Sequence, residues 1–183
     1  PKSLGQRTID LTRQSDARVG DPVLSRFRDN AFWVHGGMLY VTLNVQGSND
    51  NVGFDRASDA EQIERVRANL DWLQVAMNRA RGTDIVGLVV ALHANPGFEL
   101  PAAEVAKSAY TSFFSAFDRE AAAFGKPVLL IHGDTHQFRV DKPYRSPITK
   151  LPIANVMRVE SYGSIKTNWV RVTVDSNNRT DPF

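Results

Sequence analysis

Two short and nearly continuous apolar runs constrain the fold of this chain more than any other feature. They cover residues 86–92, Val-Gly-Leu-Val-Val-Ala-Leu, and residues 128–131, Val-Leu-Leu-Ile. Strands that are buried on both faces have this pattern, and they belong to parallel sheets that helices cover. The two runs therefore predict an α/β fold, a mixed sheet with flanking helices.

Two long helices with one apolar face each are predicted around the first run. Residues 58–82 open with Ser58 and Glu61, which predict a capping box, and Gly82 ends the segment. Residues 101–125 open with Pro101 and end at a glycine. Apolar residues recur in both segments at steps of three and four, which predicts a buried stripe on each helix. The stripes consist of Ile63, Val66, Leu70, Leu73, Met77 and Ala80, and of Val105, Ala109, Phe113, Phe117, Ala121 and Phe124.

The remaining segments predict smaller elements around this centre. Residues 31–45 read as two strands that turn at Gly36-Gly37, as in a hairpin. Residues 155–163 and 168–176 alternate apolar and polar side chains, which predicts half-exposed, antiparallel strands. Residues 1–30 form an irregular lead-in without a predicted element. We expect residues 1–183 to form a single domain or part of one.

Composition excludes several classes of function. The net charge of +2, with lysines and arginines scattered along the chain, disfavours nucleic acid or a membrane surface as partner. The chain has no cysteine, which excludes thiolate metal sites and cysteine nucleophiles. Because it begins at a proline rather than a methionine, we expect residues upstream that are not in this sequence.

Polar residues with metal-binding chemistry follow both apolar runs. His93 comes directly after the first run, and His132-Gly133-Asp134-Thr135-His136 comes after the second. Neighbouring parallel strands would place both segments at one edge of the sheet, where α/β proteins bind ligands. Imidazole and carboxylate suit zinc, iron or manganese. Two simpler interpretations stay open: a structural role for His93, and a turn role for Asp134.

In these segments the chain resembles the calcineurin-like metallophosphoesterases. "ALHANP" and "HGDTH" are similar to the last two metal motifs of that family, a late histidine and Gly-His-x-His. The hairpin 31–45 and the helix that follows are similar to family elements, so the resemblance covers roughly residues 31–140. It implies the C-terminal half of an α/β/β/α sandwich.

The resemblance also implies site residues. His93 would bind the second metal, His136 would bind the first, and Asp134 stands in the position of a family histidine. His132 is not a family ligand. It is a candidate catalytic residue that orients a ligand or a phosphate, with a buried structural role as the alternative. In the complete site two metal ions (Mn, Fe or Zn) would hold a phosphate ester while a metal-held hydroxide attacks phosphorus.

The first three family motifs do not occur in this sequence. The resemblance therefore implies an enzyme that acts on a small-molecule or nucleotide phosphate ester when joined to its N-terminal half, the chain alone being inactive. A half-domain exposes apolar surface, so pairing with that half or with a second copy is expected. The alternatives are a non-catalytic binding module with a partial metal site and a single-zinc hydrolase. Weaker candidates are Arg139 and Lys142 for phosphate and Asn49 or Asn51 for substrate, whereas His35 is expected to pack against its neighbours or to lie at the surface.

Overall fold

The computed structural model describes residues 9–145, 151–166 and 168–183. Seven strands in these residues form one sheet in the order β1-β2-β3-β4-β5-β7-β6. The elements in chain order are β1 (Thr12–Arg13), α1 (Gln14–Ala17), a 3-10 turn (Leu24–Arg26), β2 (Ala31–His35), β3 (Met38–Thr42), α2 (Gly47–Asp50), α3 (Arg56–Ala80), β4 (Gly87–Ala91), α4 (Ala102–Val105), α5 (Thr111–Phe124), β5 (Val128–His132), β6 (Arg139–Asp141) and β7 (Val156–Glu160).

The centre of the sheet is parallel and its edges are antiparallel. Strands β3, β4, β5 and β7 pair in parallel, so their carboxyl ends share one edge. Strand β2 pairs antiparallel with β3 across the turn at Gly36-Gly37, where both glycines have positive φ. The α/β class, the mixed sheet and the hairpin are thus confirmed.

One face of the sheet carries most of the core. Helices α3 and α5 pack against each other and cover this face. Trp72 of α3 is fully buried and stacks on Phe32 at a centroid distance of 5.2 Å. The prediction for the apolar stripe of α3 is only partly confirmed. Leu73, Met77 and Ala80 are buried, whereas Ile63 is 69% exposed. No helix in the described ranges has both the length and the apolar character that a bilayer span requires.

The opposite face of the sheet is covered by the C-terminal segment. Val170, Val174 and Phe183 pack against buried side chains of this face. Residues 168–175 form no strand in the structure, so the strand predicted for 168–176 is wrong. The alternation that suggested a strand instead reflects Val170 and Val174 facing the sheet while Trp169 is 78% exposed.

Three further predictions are corrected. Helix α3 begins at Arg56, and its cap is Asp55, whose side chain accepts a hydrogen bond from the Ser58 amide; the capping box from Ser58 to Glu61 is wrong. The helix predicted over 101–125 is broken into α4 and α5. Strand β7 is buried rather than half-exposed, and it pairs in parallel with β5 and antiparallel with β6.

The physical reasons for these corrections lie in tertiary contacts. The Tyr110 hydroxyl, at the end of the break between α4 and α5, donates to the Gln46 carbonyl and accepts from the Asp50 amide. The charged residues that made β7 look half-exposed are Arg158 and Glu160, which are buried because other charged side chains compensate them. The lead-in also contains β1, α1 and the 3-10 turn, for which its sequence gave no clear periodic signal.

Candidate functional site

An open cleft lies at the shared carboxyl edge of β3, β4, β5 and β7. Its volume is about 500 Å³. Except for Asp29, which precedes β2, the lining residues come from the ends of the parallel strands and from the loops that follow: Thr42, Leu43, Asn44, Val45, Gln46, Ala91, Leu92, His93, Ile131, His132, Gly133 and Ser161. This is the edge at which ligands bind in open α/β sheets.

His93 and Asp134 meet at this edge. The distance from Nε2 of His93 to Oδ1 of Asp134 is 3.9 Å. Strands β4 and β5 are neighbours and run parallel, so the residues that follow them emerge side by side. The His93 side chain is 64% exposed and that of Asp134 is 28% exposed, so both can reach a ligand. Oδ2 of Asp134 accepts one hydrogen bond, from the Asn95 amide at 3.2 Å.

Gly47 makes room for the Asp134 carboxylate. A Cβ atom added at Gly47 would lie 2.6 Å from Oδ1 and 3.1 Å from Cγ of Asp134. Any other residue at position 47 would displace this carboxylate or its own backbone. The sequence analysis considered only Asn49 and Asn51 in this segment and missed the contact of Gly47, although a glycine that opens a polar loop is a signal for close approach.

His136 lies apart from that pair. It is exposed, and its ring occupies the space beside Gly163, where an added Cβ would meet Cδ2 of His136 at 2.1 Å. In the described part of the chain, no group of three or more histidine, aspartate, glutamate or cysteine side chains could hold a metal ion. The structure thus brings together two of the three predicted ligands, His93 and Asp134.

His132 is buried at the base of the cleft. It is 2% exposed, and its Nδ1 lies 3.0 Å from the Gly133 carbonyl, to which only a protonated Nδ1 can donate. Burial lowers the pKa of His132, which favours the neutral ring. Its Nε2 is then a hydrogen-bond acceptor, and it has no partner among the described residues. His132, the catalytic candidate from the sequence, thus lines the cleft and has one acceptor nitrogen, Nε2, without a partner among the described residues.

A buried network of charges supports the loop after β5. Glu160 is fully buried and pairs with Arg139, and its Oε1 accepts from the Thr135 hydroxyl. Glu160 also lies opposite His132 in the register of β5 and β7. The guanidinium of Arg139, a weaker candidate for phosphate binding, is thus paired with the carboxylate of Glu160. Lys142 is exposed beyond β6.

A second part of this network is centred on Arg158, two residues before Glu160 on β7. Arg158 is 2% exposed and bridges Glu99 and Asp141, with shortest N–O distances of 2.6 Å to each. Its guanidinium also lies 5.0 Å from the centre of the Phe98 ring. Sequence reasoning missed Glu99, Arg158 and Glu160, because their partners come from four separate segments of the chain.

The segment after β3, which includes the four residues of α2, has an uncommon backbone. Ser48, Asn49, Asp50 and Asn51 follow one another with φ values of 53°, 54°, 59° and 63°. Left-handed conformations of this kind cost about 1–2 kcal/mol per residue other than glycine. We refer to residues 47–51 as the left-handed turn. Such strain persists only where the surroundings hold it, and it concentrates near functional sites.

A buried ion pair holds the left-handed turn. Arg65 of α3 is fully buried and pairs with the carboxylate of Asp50, while its Nη2 donates to the Asp50 carbonyl at 2.9 Å. The predicted substrate contacts Asn49 and Asn51 instead bond protein groups in this structure. Oδ1 of Asn49 accepts from the Ala109 amide at 2.9 Å, and Nδ2 of Asn51 donates to Gln46 at 2.6 Å. His35 is exposed at the hairpin, at the opposite end of β3, as expected.

Comparisons of this chain with family models, with curated proteins and with solved structures gave no significant match. The interpretation of the site therefore depends on its own geometry.

Proposed function

We propose that this chain is the C-terminal part of a metal-dependent phosphoester hydrolase of the metallophosphoesterase type. The observation that carries the proposal is the pair His93 and Asp134, 3.9 Å apart where two parallel strands end at an open cleft. An imidazole and a carboxylate that are both accessible and only weakly engaged are a donor set suited to Mn, Fe or Zn.

The donor set fits part of a metal shell. His93 and Asp134 would hold one ion, and His136 would contribute to a second. The remaining donors would come from residues upstream of Pro1. When bound, two such ions supply Lewis-acid stabilisation of a phosphate ester and an activated water. Gly47 would keep the Asp134 carboxylate in place, and Asn95 would orient it through its amide.

His132 would act on the substrate side of the cleft. Its Nδ1 proton is directed to the Gly133 carbonyl, and Nε2 is a buried acceptor without a partner among the described residues. In this proposal a protonated oxygen of the substrate or of a water molecule would supply the missing donor. Because burial lowers its pKa, the ring remains an acceptor at neutral pH. Its role would be to position a phosphate ester or a water molecule rather than to carry charge.

The second face of the sheet supports the proposed sandwich. It carries a thin C-terminal segment in place of a helical layer, and Trp169 in that segment is 78% exposed. A second β layer from the N-terminal half would cover this surface and would supply the other metal ligands. Pairing of two copies is the alternative way to bury it. The substrate would be a small-molecule or nucleotide phosphate ester.

The test is hydrolysis of bis(p-nitrophenyl) phosphate by the complete natural protein in the presence of Mn²⁺. We expect His136→Ala to abolish turnover while the protein stays folded by circular dichroism. Asp134→Asn should reduce it by at least about tenfold, as is typical when a metal ligand or its support is lost. His35→Asn is the matched control, because His35 is exposed at the other end of the sheet, and it should turn over substrate at the wild-type rate. Wild-type turnover in His136→Ala would contradict the site assignment.

The chain by itself gives a second test of the same proposal. Residues 1–183 should show no hydrolysis of this diester with Mn²⁺, because the described residues hold too few converging ligands. Substantial turnover that His93→Asn does not affect would contradict the proposed mechanism.

A second candidate function is a non-catalytic binding module that retains a partial metal site. It is favoured by the absence, among the described residues, of any group of three metal ligands. Metal content of the complete protein separates the candidates. Two ions per protein support the hydrolase, one zinc ion supports a single-metal enzyme, and a substoichiometric content supports the binding module.

A further inference from the structure

A second cavity lies apart from the cleft, on the helical side of the sheet. Its volume is about 460 Å³, within the usual range of small-molecule sites. It lies between the loop 96–100, the segment from α4 to α5 and residues 143–145, and it shares no lining residue with the cleft. Apolar side chains dominate its wall, among them Phe98, Leu100, Val105, Phe114 and Pro143.

Tyr144 lines this cavity and carries a polar atom without a hydrogen-bond partner among the described residues. The residue is 1% exposed, and its ring packs edge-on against Phe98 at 4.5 Å and in a tilted contact against Phe117 at 5.4 Å between centroids. Its hydroxyl is buried and has no hydrogen-bond partner among the described residues. A buried hydroxyl without a hydrogen-bond partner destabilises the protein. A ligand that forms a hydrogen bond with this hydroxyl therefore gains binding free energy.

Asp118 carries a second polar atom without a partner among the described residues. This residue of α5 lines the same cavity, and its Oδ1 is buried without a partner among the described residues. Burial raises the pKa of Asp118 to about 7, because the loss of water disfavours the charged form. Arg145 also lines the cavity and already interacts with another group. Asp118 is thus the lining charge that a ligand can compensate.

We propose that this cavity binds a small primary amine with an aromatic body. The ammonium group would donate to Oδ1 of Asp118 and to the hydroxyl oxygen of Tyr144, since an ammonium has three donors and needs no acceptor. The aromatic body would contact Phe98, Leu100 and Phe114. An anionic ligand is disfavoured by the carboxylate, and a neutral alcohol would leave that carboxylate without a counter-charge.

The test uses the 183-residue chain and three probes that differ only in their polar group: benzylamine, benzyl alcohol and benzoate. Affinity is measured at pH 7.5 by titration calorimetry and by shifts of backbone amide resonances. We expect benzylamine to bind at least about tenfold more tightly than benzyl alcohol, because the ion pair is formed away from bulk water. Benzoate should show no saturable binding.

Two variants and a control separate the polar contacts from packing. Asp118→Asn should remove the tenfold preference for benzylamine while benzyl alcohol binds as before. Tyr144→Phe should weaken benzylamine by a smaller factor, and Asp10→Asn, an exposed site outside the cavity, should change nothing. Equal affinity for benzylamine and benzyl alcohol, a preference that survives Asp118→Asn, or no saturable binding of benzylamine at about 10 mM would each overturn the proposal.

Discussion

Asp50 and Asp134 are two aspartates in adjacent loops at the same edge of the sheet, and they have opposite environments. Both have a left-handed backbone, with φ of 59° and 83°. Asp50 is 2% exposed and is paired with the fully buried Arg65. Asp134 faces His93 at 3.9 Å and accepts one backbone hydrogen bond, at 3.2 Å from the Asn95 amide.

The difference shows how one residue type serves two roles. The carboxylate of Asp50 is fully engaged by Arg65, Gln62 and the Gln46 amide, so it holds the left-handed turn and has no capacity for a ligand. Asp134 keeps spare lone pairs at the surface of a cleft. Both loops contain left-handed residues other than glycine, but only the loop after β5 offers its aspartate side chain to a ligand. The left-handed turn instead fixes Gly47, on which the Asp134 carboxylate rests.

The largest expected effect is the loss of the Arg65–Asp50 pair. Arg65→Ala should lower the free energy of unfolding by about 3–5 kcal/mol, because it leaves a buried carboxylate without its counter-charge. Urea unfolding followed by circular dichroism measures this. Arg26→Ala, which removes the exposed pair between Arg26 and Glu64, is the control and should cost about 0–1 kcal/mol. Similar losses in both variants would show that Asp50 is not the anchor described here.

Gly47→Ala tests the contact between the two loops. The added Cβ meets the Asp134 carboxylate at 2.6 Å, so we expect a loss of about 1–3 kcal/mol in unfolding free energy and weaker Mn²⁺ binding. Gly20→Ala is the matched control, since a Cβ there meets no atom within 4 Å. If Gly47→Ala binds Mn²⁺ as tightly as Gly20→Ala does, Gly47 does not position Asp134 for a metal.

Asp118 extends the comparison to a half-buried aspartate whose Oδ1 is buried without a partner among the described residues. Its pKa is raised from 3.8 to about 7, so the folded state retains a proton that the unfolded state has released. The resulting stability is fully present below pH 3.8 and is lost as the pH rises through about 7. Asp118→Asn, which cannot ionise, should therefore be more stable than the wild type above pH 7, by at most about 4 kcal/mol, because the pKa rises by about 3 and each pKa unit corresponds to about 1.4 kcal/mol.

Thermal unfolding at several pH values between 4 and 8 measures this effect. The difference between Asp118→Asn and the wild type should grow with pH, whereas Asp10→Asn should follow the wild-type curve. Curves for Asp118→Asn and wild type that run parallel over this range would mean that the carboxyl is hydrated in the fold.

The smallest expected effect on stability is that of Asp134→Asn. It removes charge from a partly exposed side chain whose single hydrogen bond an amide oxygen can also accept, so unfolding should change by less than about 0.5 kcal/mol. Mn²⁺ affinity, measured by titration calorimetry on the complete protein, should fall by at least about tenfold. A large loss of stability with unchanged Mn²⁺ affinity would reverse the roles assigned to Asp50 and Asp134.

Much of the fold was predictable because the relevant signals are local. The apolar runs before His93 and after Pro127 predicted two buried strands, and both are parallel neighbours in the centre of the sheet. The end of α5 at Gly125 was predictable too, since a glycine with φ of 70° ends a helix without steric cost. The break before Tyr110 was not, because it depends on a hydroxyl that bonds a loop 60 residues away.

The candidate site likewise has residues that the sequence indicated and contacts that it could not show. The sequence pointed to His93 and to residues 132–136, because histidine and aspartate directly after buried strands are an uncommon combination. It could not show that Asp134 rests on Gly47, or that His136 turns to Gly163 instead of joining His93. These are contacts between segments that are 87 and 27 positions apart in the numbering, and no periodicity encodes them.

What the sequence by itself determined is the α/β class, the central strands and the edge at which their polar ends gather. These follow from hydrophobic periodicity, a property of neighbouring residues. The tertiary structure alone decided which carboxylate is an anchor and which is available. That choice depends on whether a cation such as Arg65 is buried against the carboxylate, and burial is a property of the whole fold.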